Sequence, residues 1–428
     1  MKILWFSNSP ALGTEYLQAD YKIKGTGGWL FSLNRELQNY VELSVAFHYP
    51  YKKEQFKYQK TTFYPIYTGN IVIENIKRRL FNKVYDKDFL NQYLNIIEKV
   101  NPDIIHIHGT ENAFLCILDS TSIPVVTSIQ GNLTVYNHKF NSGFHGRYLD
   151  IKDSMLNLKN ILFGRQNYRR AYNLMNKMAI IERNHLKKAR YVIGRTDWDR
   201  RITRILAPQS KYYRAEEMLR EAFYQHAWEN PYSNGKIILF TTNGNNYYKG
   251  FETICYALNL LNGLGYDVEW RVAGVFERSL INKITRKYLG KNYPTKGLVL
   301  LGSLGEKELI QNLKKSHIYI MPSHIENSPN NLCEAMILGM PCIATFAGGT
   351  GSILKDGIEG ILVQDGDPWA MAGAVVELLN DPNKALMYGK QARERALKRH
   401  DRKTIISEYL QIYNNIILQH KNEDYPNN

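Results

Sequence analysis

The chain has 428 residues, of which 44% are hydrophobic and 22% are charged. This length is sufficient for two domains of ordinary size, and the composition is that of a globular protein, which excludes a largely disordered chain. No apolar run approaches the roughly 20 residues that a membrane-spanning helix needs. We therefore expect a soluble or peripheral protein with two domains.

The four cysteines are scattered in apolar segments, with no C-x-x-C motif and no histidine cluster near them: Cys116, Cys255, Cys333 and Cys342. This pattern predicts reduced core residues of a cytoplasmic protein, and neither disulfides nor a zinc site. Residues 1–6 are too short for a signal peptide, and we interpret them as the first strand.

A formal net charge of +15 leaves three classes of partner open, namely nucleic acid, an anionic membrane surface and anionic small substrates. No nucleic-acid-binding module is recognisable, so we expect no nucleic acid partner. Basic residues alternate with aromatic ones in residues 77–83 and 158–170, a pattern that suits the inner face of an anionic membrane. Solvated helix faces are the alternative interpretation of these two segments.

The first half of the chain alternates short apolar runs with helical patterns. A strand is predicted at residues 3–6, and a helix follows Gly25-Thr-Gly-Gly28. Residues 151–190 form a long, basic and mostly helical stretch. This alternation predicts parallel strands that are linked by helices. Further strands are predicted at residues 43–47, 103–108, 125–129 and 191–194.

Residues 211–235 are polar and aromatic, and we interpret them as the inter-domain region. A second alternating set follows, and an apolar stripe between Ile405 and Ile417 predicts a final helix. The pattern predicts two doubly wound parallel sheets that face a cleft, with ligands at the carboxyl ends of the strands. The predicted domains are 1–210 and 236–403, with a final helix in 404–428. Strands of the second domain are predicted at residues 237–240, 268–272, 297–301, 318–321, 342–345 and 360–363.

The most informative segment is His324-Ile-Glu-Asn-Ser-Pro-Asn-Asn-Leu-Cys-Glu334, in which seven residues separate Glu326 from Glu334. The pattern predicts a loop that carries Glu326 and then a helix that carries Glu334. A helix N-terminus presents free N–H groups and a positive dipole end, which suit a phosphate. Glu334 could accept hydrogen bonds from a ribose diol, and Glu326 could hold sugar hydroxyls or balance charge at an anomeric carbon. A surface glutamate beside an ordinary helix is the alternative.

This segment, with the Gly-Met-Pro341 and the apolar strand that follow it, resembles the Glu-seven-Glu signature of the retaining GT-B glycosyltransferases of sequence family 4. The resemblance is strongest over residues 237–382. It implies an α/β GT-B fold, in which two Rossmann-like domains face a cleft and the last helix crosses back to the first domain. It also implies a retaining hexosyltransferase that uses a UDP- or GDP-linked sugar as substrate and has no cofactor. The expected acceptor is a glycan or a lipid-linked molecule of bacterial surface polysaccharide or glycolipid assembly. Because the chain has no metal-binding signature, we expect a metal-independent enzyme.

Within this resemblance, Lys249 matches the lysine that binds the donor diphosphate. Asn243 stands where the family usually has an arginine, so a bidentate cation is missing there. Arg195 could replace it, and a structural ion pair with Asp197 or Asp199 is the alternative. The other predicted donor-binding residues are Gly27, Gly28, Gly302, Ser303, Leu304, Asn330, Asn331, Leu332 and Glu334.

The predicted catalytic residues are Glu326, His108 and Gln130. His106 and His108 share one face of a strand, and His108 is nearer to its end; a core histidine is the alternative. Gln130 stands where many family members have histidine, and glutamine keeps the hydrogen bonding but is not an acid–base group.

Two other functions stay open: a sugar-nucleotide epimerase on the same fold, and a non-catalytic protein that binds nucleotide sugars or glycans.

Overall fold

The computed structural model describes residues 1–17, 28–69, 88–144, 168–231 and 236–424. The chain divides into two compact units. The first unit comprises residues 1–137, 156–218 and 400–428, and the second comprises residues 138–155 and 219–399. The basic segment 77–83 and residues 158–167 lie outside the described residues, as does Gly27.

The strands of the described residues are β1 (Lys2–Ser7), β2 (Glu42–Tyr49), β3 (Phe56–Tyr58), β4 (Thr61–Tyr67), β5 (Ile104–His108), β6 (Val125–Ser128), β7 (Tyr191–Gly194), β8 (Lys211–Arg214), β9 (Ile237–Thr242), β10 (Val268–Ala273), β11 (Leu298–Gly302), β12 (Ile318–Met321), β13 (Cys342–Thr345) and β14 (Ile361–Val363). The α-helices are α1 (Gly13–Leu17), α2 (Gly28–Leu37), α3 (Asp88–Val100), α4 (Leu133–Lys139), α5 (Tyr168–Leu186), α6 (Asp197–Leu206), α7 (Glu221–Tyr224), α8 (Phe251–Gly263), α9 (Leu280–Leu289), α10 (Glu306–Lys314), α11 (Asn330–Leu338), α12 (Pro368–Asn380), α13 (Pro382–Arg399) and α14 (Arg402–Asp424).

The first unit is built on an 8-stranded sheet in the order β3-β4-β2-β1-β5-β6-β7-β8. All of its pairings are parallel except that between β3 and β4. Side chains of β1 alternate between two apolar clusters, with Ile3 and Trp5 on one face and Leu4 and Phe6 on the other. A parallel strand that is covered on both faces reads as a continuous apolar run, which explains why β1 was visible in the sequence.

The last helix, α14, packs in the first unit. Its apolar stripe, which includes Ile405, Tyr409 and Ile416, joins the cluster that contains Trp5. The hydroxyl of Tyr413 lies 2.7 Å from Nδ1 of His106 and also accepts a hydrogen bond from Trp5 Nε1. Burying each of these large side chains stabilises the fold by about 1.5–3 kcal/mol.

The second unit is built on a 6-stranded parallel sheet in the order β11-β10-β9-β12-β13-β14. This is the Rossmann order, in which the direction of winding reverses between the first strand, β9, and the fourth, β12. In open sheets of this order, the loops that follow these two strands diverge and leave a crevice at the carboxyl edge. A ligand site is therefore expected where β9 and β12 end.

Three strands were not predicted from the sequence. β3 and β4 form a short hairpin whose outer strand is half exposed, and β8 lies in the segment that was interpreted as inter-domain. Lys211–Arg214 pairs with β7 as the last strand of the first sheet. Because this edge strand has a polar sequence with no buried face, its pattern does not distinguish it from a connection.

The four cysteines are buried as free thiols. No helix in the described part of the chain is both long and apolar enough to cross a membrane.

Candidate active site

Two of the predicted site residues follow the strands at the switch point of the second sheet. Lys249 lies in a short 3-10 turn after β9, and Glu326 lies in the loop after β12. Lys249 Nζ is 2.5 Å from Glu326 Oε1, and Ser323 Oγ donates to the same oxygen at 2.8 Å. The Glu326 side chain is 7% exposed and that of Lys249 is 26% exposed. A buried carboxylate is thus paired with a cation that still reaches the surface.

Two glycines allow this close approach. Gly250 has a φ of +69°, and a Cβ atom there would lie 2.0 Å from the carbonyl oxygen of Pro322. Gly348 has a φ of +58°, and a Cβ atom there would lie 2.0 Å from the carbonyl oxygen of Glu326. Only glycine fits both constraints. The glycine-rich loop after β13 therefore supports the backbone of Glu326, in addition to lining the edge of the sheet.

Asn243 contributes no charge, but it shapes the lysine loop. Its Nδ2 donates to the carbonyl oxygen of Lys249 at 2.8 Å, and its Oδ1 accepts from the Gly244 N–H at 2.7 Å. The side chain thus holds the loop at both ends. The arginine that the family usually has at this position is replaced by a residue that fixes the backbone.

A buried charge network lies beneath the loop that carries Glu326. His324 Nε2 is 2.7 Å from Glu252 Oε1, and Nδ1 is 3.4 Å from Asp365 Oδ2. Burial opposes the charged imidazole, but the carboxylates of Glu252 and Asp365 outweigh it and raise the pKa of His324 to about 9. The His324 N–H also donates to the Tyr248 carbonyl oxygen at 2.8 Å. A charged histidine therefore connects the Glu326 loop to the lysine loop.

Helix α11 begins next to these loops, with Pro329 as its N-cap residue. Asn331 Nδ2 donates to the Thr242 carbonyl oxygen at 3.3 Å, which fixes the first turn to the end of β9. Leu332 is buried in the core, whereas Asn330 is half-buried. The first turn of this helix has no acidic residue, so its positive dipole end is not offset locally.

Glu334 is buried on α11 and pairs with Arg220, which was not predicted from the sequence as a site residue. Arg220 Nε donates to Glu334 Oε1 at 2.7 Å, and Nη2 donates to Oε2 at 2.6 Å. Burial raises the pKa of Glu334, and the bond from Arg220 offsets part of that rise. Arg220 lies 114 positions away in the polar segment 211–235, where no motif marks it.

Gly302 ends β11, which is at the edge of the second sheet, and Ser303 and Leu304 follow it. The Gly302 N–H donates to the Val275 carbonyl oxygen, and Ser303 is exposed while Leu304 packs on the core. The backbone of this loop thus lies at the carboxyl edge of the sheet, and the donor-binding role of these residues stays a prediction.

The predicted residues of the first unit form a separate group at the switch point of its sheet. Gly28 begins α2 after β1, and His108 ends β5. His108 is 3% exposed, and its ring lies 4.5 Å from that of Trp5 and 5.5 Å from that of Trp29. Neither ring nitrogen has a hydrogen-bond partner among the described residues. Burial, followed by the nearby charges, holds the pKa of His108 well below its usual value, so the ring is neutral.

Glu111 follows His108 by three residues, and the sequence analysis predicted no role for it. Its Oε1 accepts from the Gly131 N–H at 2.9 Å, and its Oε2 has no hydrogen-bond partner in the described part of the chain. Burial is the main cause that raises the pKa of Glu111 to about 7. A buried carboxyl group with a raised pKa therefore lies next to the loop of Gln130.

Arg195 is buried in the same group. Its Nη1 donates to Gln130 Oε1 at 3.2 Å, and Nη2 donates to the Ile129 carbonyl oxygen at 3.1 Å. Its ion-pair partner is Glu217, and the alternative pairing with Asp197 or Asp199 is wrong. Asp199 instead accepts from the Arg195 and Thr196 backbone N–H groups and caps α6, and Asp197 pairs with Arg200.

His106 has a structural environment. Its Nδ1 contacts Tyr413 and its Nε2 lies 2.6 Å from Ser128 Oγ. Burial lowers the pKa of His106 to about 3, so the ring is neutral and fixes β5 to β6 and α14. Among the described residues, no group of three or more His, Cys, Asp or Glu side chains is arranged to hold a metal ion.

Comparison with known proteins agrees with this architecture. The chain is similar over 98% of its length to sucrose-phosphate synthase from Thermosynechococcus elongatus, with a TM-score of 0.70, 14% identity and all of that chain covered. It is similar over 96% of its length to HepE from Anabaena in complex with UDP-glucose, with a TM-score of 0.62, 14% identity and 99% of that chain covered. The two Rossmann-like units define a GT-B protein, and the predicted fold is confirmed.

Residues 225–395 match the family model described as glycosyl transferases group 1. The matched segment contains Lys249, Glu326 and Glu334, and over this segment the chain is similar to that family. Among curated proteins it is 31% identical over 120 residues to N-acetyl-alpha-D-glucosaminyl L-malate synthase from Bacillus anthracis. The aligned residues are 28% of this chain and 32% of that protein.

The chain is also 24% identical over 172 residues to the capsular polysaccharide biosynthesis glycosyltransferase CapM from Staphylococcus aureus. The aligned residues are 40% of this chain and 44% of that protein. The chain therefore matches less than half the length of both curated relatives.

Proposed function

We propose that this protein is a retaining glycosyltransferase that transfers a sugar from a nucleoside diphosphate sugar to a hydroxyl acceptor. One observation carries the proposal. Within the segment that matches the group 1 family, Lys249 and Glu326 form a partly exposed pair at the switch point of the second sheet, beside the N-terminus of α11. This is the place where an open parallel sheet binds its ligand.

The charges at this place suit a diphosphate leaving group. An ammonium group has three donors, so Lys249 can keep one bond to Glu326 and still donate to a phosphate oxygen. The N–H groups of the first turn of α11 supply further donors with a positive dipole end. Preorganised positive groups of this kind stabilise the charge that develops as the sugar departs.

The retaining outcome is proposed from the resemblance of the Glu326–Glu334 segment to the retaining enzymes. We propose no covalent nucleophile, and the attacking hydroxyl approaches from the face that the leaving diphosphate vacates. Glu326 would then hold sugar hydroxyls or balance positive charge at the anomeric carbon. Among the described residues of the first unit, we propose His108 and Glu111 as candidate acid–base groups.

We further propose that the donor is UDP- or GDP-linked and that the product belongs to a bacterial surface polysaccharide or glycolipid. The support is a relative named for capsular polysaccharide biosynthesis and a neighbour of the same fold bound to UDP-glucose. The proposed partners are therefore a nucleotide sugar and a glycan or lipid-linked acceptor, in the cytoplasm and at the inner face of the membrane.

The reaction is proposed to need no divalent metal, because Lys249 and the α11 N-terminus supply positive charge to the diphosphate. Turnover should persist in excess EDTA. Complete inhibition that added Mg²⁺ or Mn²⁺ reverses would contradict metal independence and leave the transferase proposal standing.

The decisive experiment is a screen of UDP- and GDP-sugars by thermal shift, followed by incubation of each stabilising donor with and without lipid extracts and glycan acceptors. We expect release of the nucleoside diphosphate together with a new glycosidic bond whose anomeric configuration, read by NMR, equals that of the donor. Isomerised donor without acceptor would instead identify an epimerase. Tight binding without any conversion would identify a binding protein.

A further inference from the structure

We infer that Arg220 is a positioning residue for donor binding: its bidentate pair with Glu334 keeps that carboxylate ionised and aimed at the ribose of the nucleotide. The inference rests on the proposed function, since it assigns Glu334 to the ribose diol. It adds a residue that lies outside the Glu326–Glu334 segment and that the resemblance does not include.

The geometry leaves Glu334 able to bind a diol while it is held. An ionised carboxylate offers about four lone-pair directions, and a bidentate arginine occupies two of them. Both bonds here are short, at 2.7 Å and 2.6 Å. The remaining two directions can accept from two vicinal hydroxyls. The pair therefore fixes the orientation of Glu334 without consuming its capacity as an acceptor.

Arg220 is itself held in place by its neighbours. Its Cζ lies 4.7 Å from the centroid of the Phe223 ring, which supports the guanidinium by a cation–π contact. Leu219 and Phe223 are buried in the same apolar cluster as Leu332 and Ala335 of α11. The segment that carries Arg220 thus packs on the helix that carries Glu334, and the pair is a fixed part of the second unit.

The charges around Glu334 explain why it needs this partner. Glu334 is 5% exposed and therefore loses solvation when it is ionised. Glu306 lies 3.8 Å from Arg220 and adds a second negative charge from α10. Tyr319 on β12 is buried, and burial raises the pKa of its phenol, so it adds no charge near Glu334. Arg220 is therefore the cation that favours the ionised form. Without it, burial and Glu306 would favour a protonated carboxyl, which accepts fewer hydrogen bonds.

The test compares the wild type with Arg220→Gln and Arg220→Lys by titrating UDP and GDP in a calorimeter at about pH 6 and about pH 8, on either side of the range in which a buried carboxyl can titrate. Arg271→Gln is the matched control, because Arg271 forms a 2.6 Å pair with Glu269 elsewhere in the same unit. Since a terminal phosphate also titrates near these values, each variant is read as the ratio of its Kd to that of the wild type at the same pH.

We expect Arg220→Gln to weaken binding of the preferred nucleoside diphosphate about tenfold or more at the lower pH and clearly less at the higher pH. Arg220→Lys keeps the positive charge but cannot form the two parallel hydrogen bonds of the guanidinium, so it should weaken binding by a similar ratio at both pH values. For Arg271→Gln, the ratio of its Kd to the wild-type Kd should be near one at both pH values. A purely structural role would lower the thermal midpoint without this dependence on pH, so the pH dependence of the Kd ratio of Arg220→Gln separates the two roles. Where Arg220→Gln folds poorly, Arg220→Lys separates them instead, because a positioning role predicts a Kd ratio clearly above one at an unchanged thermal midpoint.

Two results would overturn the inference alone: wild-type binding with a Kd ratio near one for both variants, or tighter binding by Arg220→Gln, which would mean that the arginine competes with the nucleotide. A wild-type protein that binds neither UDP nor GDP would overturn the proposed function, and the inference with it.

Discussion

His324 and Glu252 form a buried ion pair in which Nε2 of the imidazole lies 2.7 Å from Oε1 of the carboxylate. His324 is two residues before Glu326, and Glu252 lies in the first turn of α8, three residues after Lys249. The pair therefore couples the two loops whose side chains form the candidate site.

Replacement of His324 by glutamine should destabilise the second unit in a pH-dependent way. The pKa of His324 is raised to about 9 in the folded protein, from an ordinary value of about 6.5. Its contribution is therefore fully present below about pH 6.5 and is lost as pH rises through about 9. We expect a loss of about 3–5 kcal/mol at about pH 6, the range for breaking a buried charge pair, and a smaller loss at about pH 10.

Denaturant unfolding across this pH range measures the effect, with His226→Gln as the control because His226 is exposed in the same unit. A deficit for His324→Gln that is constant with pH would show that the imidazole is neutral and that packing alone is lost.

Lys249→Ala should lower turnover of the identified donor by about a hundredfold or more, comparable to the loss of one preorganised electrostatic group. Lys384→Ala is the matched control, since Lys384 forms a 2.6 Å pair with Glu377 on the surface of the same unit. Steady-state release of the nucleoside diphosphate measures both. Activity of Lys249→Ala within about a factor of two of wild type would move the diphosphate-binding role to another cation.

Glu334→Ala should weaken nucleotide-sugar binding by about 1–3 kcal/mol, the range for leaving hydrogen-bonding groups unpaired. The neighbouring Glu306→Ala is the control, because Glu306 lies 3.8 Å from the same arginine and its side chain is 42% exposed. Calorimetric titration measures both affinities. Equal effects of the two variants would indicate that Glu334 acts through the local charge and does not contact the ribose.

The basic and aromatic segments 77–83 and 158–170 should bind an anionic membrane surface. Each Lys or Arg near such a surface contributes about 1 kcal/mol, and salt screens the attraction. Co-sedimentation should therefore retain the protein on vesicles with anionic lipid at low salt and release it as salt rises, and neutral vesicles should bind it poorly. Failure to bind anionic vesicles at low salt would favour a soluble acceptor and would leave the transferase proposal untouched.

The sequence alone determined the layered α/β architecture, because strands that are buried on both faces must be continuously apolar. β1, β7, β12 and β13 were visible for this reason. The same alternation placed Lys249 after β9 and Glu326 after β12, near the edge where the carboxyl ends of parallel strands lie, and it placed Glu334 on the helix that follows.

The partners of these residues were decided only by the tertiary structure. Arg220 meets Glu334, and Glu252 meets His324, across 114 and 72 positions of the chain. The partner of Arg195 proved to be Glu217, because the nearer Asp197 and Asp199 are used at the start of α6. A pairing between distant residues has no period and no spacing in the sequence. It arises where packed helices and loops bring opposite charges into a buried space, in which an unpaired charge is costly.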